Sequence, residues 1–114
     1  MVPGRRVPED ALAFIRDCIR RRRILWTYHV NMRLAGKVIR REAILEAVET
    51  YEIVEQYPQD KYLPSYLILA RHGDDVFHVL FAADVEGDSV RAVTTYRPDP
   101  EEWQPDLKTR RASG

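Results

Sequence analysis

Apolar residues recur at helical spacing through the first fifty positions and at alternate positions beyond them, so the chain divides into a helical part and a sheet part. Pro8-Glu9-Asp10 supplies a helix start, with proline and acids in the first turn, and Ala11, Leu12, Phe14, Ile15, Cys18 and Ile19 then fall on one face. This pattern predicts a helix ending near Arg23. Ile24 to Tyr28 is β-branched and aromatic and reads as a short extended link. A second helix is expected over about Val30 to Lys37, with Gly36 weakening its end. A third, over about Arg41 to Thr50, turns Ile44, Leu45 and Val48 inward and Glu42, Glu46 and Glu49 outward.

Past Thr50 the period falls to two. Tyr51, Ile53 and Glu55 alternate with Glu52, Val54 and Gln56, and Pro58 closes the strand. Ser65 to Arg71 is the next strand. His72-Gly73-Asp74-Asp75 turns the chain into Val76 to Ala83, and Glu86-Gly87-Asp88 turns it again into Ser89 to Tyr96. Successive hairpins of this kind make an antiparallel meander. The expected fold class is therefore α+β, with two to three helices packed on a four-stranded antiparallel sheet. Pro98, Pro100 and Pro105 interrupt regular structure afterwards, although Pro100-Glu101-Glu102-Trp103 suits one helical turn. Residues 1–23 read as an N-terminal helix belonging to the same domain, 24–104 as the core domain, and 105–114 as a flexible polar tail.

With 114 residues, 45% of them hydrophobic and 32% charged, the chain has room for a single core. Its apolar runs are too short to span a bilayer and the first ten residues carry no apolar signal core, so a cytoplasmic protein without membrane partners is expected. Cys18, the single cysteine, lies on the apolar helix face and reads as packing. The net charge of zero hides an uneven distribution. Met1 to Arg41 carries eleven Lys/Arg against three Asp/Glu, Glu42 to Asp60 has six acids and no base, and the remainder has seven bases and nine acids. Phosphate attraction depends on local clusters, so neutrality overall weakens a nucleic-acid reading without removing it.

The stretch from Thr27 to Lys37 spaces His29, Arg33 and Lys37 four residues apart, which on a helix places all three on one face. Solvated charges do this commonly; so does a phosphate-handling site. The order of elements, the segment His29, Arg33, Leu34, Lys37, Ile39, and the later Thr94, Tyr96, Pro98, Asp99, Trp103 together resemble the domain of unknown function 4258 family. The resemblance covers roughly Ile24 to Trp103. The family usually has arginine where Lys37 stands, which keeps the charge and loses the bidentate fork. The resemblance implies a fold similar to small RelE-like and MqsR-like bacterial toxins, which cut messenger RNA and are silenced by an antitoxin.

Metal-independent RNA cleavage needs a base for the ribose 2′-hydroxyl, cations at the phosphorane-like transition state and an acid for the leaving oxygen. His29 can be acid or base near neutral pH. Arg33 and Lys37 lie one and two turns further on, which spreads the three over roughly 12 Å of one helix face. Tyr96 supplies a phenol, as a C-terminal tyrosine does in several RelE-like toxins. His29, Arg33, Lys37 and Tyr96 are thus the candidate catalytic set, and Arg20, Arg23 and Arg97 the candidate RNA contacts outside it. Each has a plainer reading: an end-of-helix hydrogen bonder for His29, solvated charges for the arginines and lysine, and a core cap for Tyr96. Strict alternation puts Tyr96 with Thr94, Ala92 and Val90, so convergence requires the helix bearing His29 to lie against that strand face.

Other constellations lead less far. His72 and His78 flank a turn without further ligands, so no metal is expected, and His78 shares a strand face with Val76 and Leu80 as a buried, satisfied residue would. Trp26 and Trp103 read as packing. No phosphate-binding glycine loop or nucleophile elbow is found, and no cofactor is expected. The resulting expectation is a toxin of a toxin–antitoxin pair, an RNA endonuclease whose partners are an antitoxin protein and RNA. The alternative is a non-catalytic interaction or RNA-binding module of the same fold, acting as a homodimer.

Overall fold

The computed structural model describes residues 6–35 and 39–112. Helix α1 spans Ala11–Arg20 and is capped by the Asp10 carboxylate, which accepts from the Ala13 amide at 3.0 Å. It stops three residues before Arg23, where the Arg23 and Arg22 amides donate back to the carbonyls of Cys18 (2.8 Å) and Ile19 (3.1 Å). Arg22 takes the left-handed conformation (φ 60°) that such a helix end requires. Ile24–Trp26 then forms β1. Thr27 starts the next helix: its hydroxyl accepts from the Val30 amide and its carbonyl from the Asn31 amide, giving α2 over Tyr28–Ala35. Helix α3 spans Arg41–Glu46 and tightens into a 3-10 turn over Ala47–Thr50; its leading residue, Arg40, offers no capping bond. Strands β2 (Glu52–Tyr57), β3 (Ser65–His72), β4 (Asp75–Asp84) and β5 (Ser89–Tyr96) follow.

The α+β architecture is as expected, but the sheet differs from a four-stranded antiparallel meander. It has five strands in the order β1-β5-β4-β3-β2, and β1 pairs with β5 in parallel. The segment read as an extended link is therefore an edge strand. Three residues carry too little alternation to be distinguished from a connection, and their partner lies more than sixty positions away.

All three helices pack on one face of the sheet. Ile15, Cys18 and Ile19 of α1, Val30 of α2 and Ala43 and Ile44 of α3 close over Tyr66, Ile68 and Ala70 of β3, Phe77, Val79, Phe81 and Ala83 of β4, and Val90 and Ala92 of β5. The other face carries a smaller buried set, with Leu67, Leu69, His78, Ala82 and Trp103. Part of this second face is covered by residues 98–111, which fold back as a strap. Trp103 and Gln104 meet Thr109 to Arg111 in a short antiparallel bridge, and the Glu102 and Trp103 amides bond the Asp99 carbonyl in the expected turn. Lys108 reaches Glu52 (3.2 Å), Arg110 reaches Glu55 (2.6 Å), and the Arg110 guanidinium lies 4.5 Å from the centre of the Trp103 ring. These contacts fall in the stretch expected to be a free tail.

Two register shifts decide which side chains share a face. In β2 the pairing steps from Ile53 opposite Ile68 to Glu55 opposite Leu67, and in β5 from Ala92 opposite Phe81 to Thr94 opposite Leu80. One extra residue enters each strand, Val54 and Val93. Because side chains alternate strictly, each insertion turns all later residues to the other face.

Candidate functional site

The β5 bulge determines the fate of the expected catalytic set. It moves Tyr96 off the face of Val90 and Ala92 and sets it opposite His78, on the side of the sheet away from the helices. His29 is exposed in the first turn of α2, whose Val30 is buried in the main core. The two residues therefore sit on opposite sides of the sheet. Arg33 lies on α2, with only its backbone described, and Lys37 lies outside the described residues.

The group that Tyr96 joins is built around His78, which is fully buried. Its Nε2 lies 2.8 Å from the Leu107 carbonyl, which can only accept, so Nε2 carries the proton. Nδ1 is left to accept from the Tyr96 hydroxyl at 3.3 Å. Trp103 meets the imidazole edge-on at 4.6 Å between ring centres, and Tyr96 does so at 5.4 Å. Burial lowers the pKa of His78 and raises that of Tyr96, so both are neutral near pH 7. Their role is to seat the strap.

The candidate RNA contacts are also engaged. Arg20 binds both oxygens of Glu49, Arg97 both oxygens of Asp75, and Arg23 the carbonyls of Gly87 and Asp88. Arg21, between them, bridges Asp17 and Asp88. The basic run thus ties the end of α1 to the β4–β5 turn and to the 3-10 turn, and the acidic middle of the chain, through Glu49, is partly its counterpart. Among the described residues no group of three or more His, Cys, Asp or Glu is placed to hold a metal. A cleft of about 210 Å³ opens on the second face between Thr27, Tyr62, Leu63, Leu80, Arg91 and Val93, and it shares Asp60 and Leu80 with a shallower opening beside Tyr57.

The surface that sequence reasoning did not single out is the corner made by β1 and α2. Leu25, Tyr28 and Met32 are 57%, 80% and 58% exposed, unusual values for large apolar side chains clustered within eight residues. Among the described strands β1 has β5 on one side and none on the other. The Val90 amide bonds the Arg23 carbonyl and the Thr27 amide bonds the Ala92 carbonyl, so residues 23 and 27 direct backbone groups toward β5. By the alternation of a parallel ladder, Ile24 and Trp26 direct theirs outward. Two guanidiniums flank this edge: Arg91, opposite Leu25 in register, and Arg41, 5.1 Å from the centre of the Trp26 ring and bonded to the Asn31 side-chain oxygen. A sequence signal was present, because no acidic residue occurs between Asp17 and Glu42 while eight Lys/Arg do.

Residues 26–97 match the family model described as domain of unknown function DUF4258. The chain belongs to this family. The matched range covers α2 through β5 and ends before Pro98, Asp99 and Trp103, and it leaves out α1. No curated protein and no solved structure matches the chain.

Proposed function

We propose that this DUF4258 domain is a non-catalytic interaction module that docks a partner protein through the β1–α2 corner. The observation that carries this reading is the exposure of Leu25, Tyr28 and Met32 beside an open sheet edge. Apolar side chains held in water at a strand edge are a liability unless something covers them. The engagement of Arg20, Arg23 and Arg97 by carboxylates and carbonyls supports it further, since it leaves less cationic surface for phosphate.

The rival is the RelE/MqsR-like toxin, an RNA endonuclease in the cytoplasm silenced by an antitoxin. What favours it is the exposure of His29 on α2, the helix that also carries Arg33; what counts against it is that Tyr96 lies on the other side of the sheet from His29. Inducing the chain in bacteria and following growth and messenger RNA length separates the two. The interaction reading expects neither arrest nor cleavage, and expects a co-purifying protein to be lost when Leu25, Tyr28 and Met32 are all changed to serine while the thermal midpoint holds. Arrest relieved by His29→Ala would return the ribonuclease reading to first place.

A further inference from the structure

We infer that the open edge of β1 receives an extended, acidic segment of the partner protein as a sixth strand; this rests on the interaction reading above and names the chemistry of the partner. The backbone supplies the first argument. Ile24 and Trp26 present amides and carbonyls outward; among the described residues the Trp26 carbonyl has a bond of its own, a 3.5 Å contact from the Asn31 side-chain amide, and the others have none. An edge that alternates donors and acceptors is matched by another polypeptide strand. A phosphodiester offers acceptors only.

Charge supplies the second argument. One guanidinium lies on each face of the strand pair β1–β5: Arg91 of β5 stands beside Leu25 on one, and Arg41, from α3, lies over Trp26 on the other. Neither has a carboxylate partner among the described residues, whereas Arg20, Arg21, Arg97, Lys108 and Arg110 each have one. An incoming strand alternates its side chains, so acidic residues on it meet Arg91 from one face and Arg41 from the other. Apolar residues between them cover Leu25, and beyond the end of β1 they reach Tyr28 and Met32 at the start of α2. A second copy of this chain is disfavoured at the same edge, because β1 carries no acidic residue to meet either guanidinium when it pairs with itself.

The test uses the full chain and fluorescein-labelled nonapeptides in which pairs of valines alternate with pairs of glutamates, so that each face of the strand carries both, the same peptide with lysine for glutamate, and the glutamate peptide N-methylated at five central residues, alongside a ten-nucleotide oligouridylate. The expected result is binding of the glutamate peptide by anisotropy, at least tenfold weaker binding of the lysine peptide, and none of the N-methylated one. Arg91→Glu should weaken the glutamate peptide at least tenfold at low salt and less at high salt. Amide exchange at Ile24 and Trp26 should slow in the complex. Should Arg91→Glu not fold, Arg91→Gln serves, and the peptide series needs no substitution at all. Equal binding of the glutamate and lysine peptides, undiminished binding of the N-methylated peptide, or binding of the oligouridylate in preference to any peptide overturns the inference. A dimer in sedimentation that itself protects Ile24 and Trp26 does so too. Loss of the cellular partner in the serine triple variant without any peptide binding leaves the interaction reading standing and removes this one.

Discussion

Two residues show how local chemistry is set by place in the fold. Cys18 is fully buried under the helix face of the sheet, and burial, with Asp88 and Asp17 nearby, raises its thiol pKa to about 11. The thiolate is the reactive form, so at pH 8 the native chain should resist iodoacetamide for hours while the chain in denaturant is alkylated within minutes; mass spectrometry reads the difference. Rapid modification without denaturant would mean that α1 opens readily. Arg22 illustrates strain instead of protection. Its left-handed φ of 60° costs an ordinary residue about 1–2 kcal/mol. Glycine removes that cost and surrenders about 0.5–1 kcal/mol to unfolded-chain freedom, together with the bond from the Arg22 guanidinium to the Ile19 carbonyl. Arg22→Gly should therefore raise stability by about 0.5 kcal/mol, seen as a higher urea midpoint at unchanged slope. A lower midpoint would show that the guanidinium bond outweighs the backbone strain.

At the scale of elements, the strap over residues 98–111 is held by one buried histidine and two ion pairs on β2, and this makes it sensitive to acid. The neutral His78 faces Tyr96 of β5, Trp103, the Leu107 carbonyl and Arg110 of the strap, and Glu55 of β2. Its folded pKa lies below the unfolded value of about 6.5 because burial penalises the cation. As pH falls below that value the unfolded chain takes up the proton first, so the stability contributed by neutral His78 is present above about pH 6.5 and is lost between the unfolded and the folded pKa. Glu55, lowered chiefly by its bond to Arg110, loses its contribution in more acidic solution still. Amide exchange at Gln104 and Arg111, corrected for intrinsic rates, should thus speed up several-fold between pH 7 and pH 5.5, and His78→Gln should abolish the change. Unchanged or slower exchange would mean that attraction to Glu55 offsets the burial. The elements themselves were largely readable, since the Asp10 cap, the amphipathic α1 and the hairpin turns leave clear marks. What hid was register. Val54 and Val93 are ordinary strand residues whose bulging depends on partners across the sheet, and one such insertion was enough to set Tyr96 on the face away from His29. Likewise β1 exists because β5 is beside it, and three residues cannot announce that on their own.

For the whole molecule, the family match and the folding unit do not coincide. Residues 26–97 contain α2, α3 and β2 through β5, yet the main core also uses Ile15, Cys18 and Ile19 of α1, with Leu12 and Phe14 packed against it. Removing α1 would bare part of the inner surface of β4 and β5, and would cut the ties from Arg20 to Glu49 and from Arg21 to Asp88. The other face has the same dependence on the strap, which covers His78 and carries Trp103, a ring that is itself almost fully buried. Each fully buried large apolar side chain contributes about 1.5–3 kcal/mol, and a domain of this size has only about 5–15 kcal/mol of net stability. Losing Ile15 and Ile19 from α1, with Cys18 and the packed parts of Leu12 and Phe14, is of the same order as the low end of that margin. A chain cut to residues 24–97 should therefore fail to unfold cooperatively, giving a broad urea transition and strong binding of a hydrophobic dye, whereas residues 6–112 should melt in a single sharp step. Cooperative unfolding of the shorter chain would show that α1 and the strap only decorate a core complete without them.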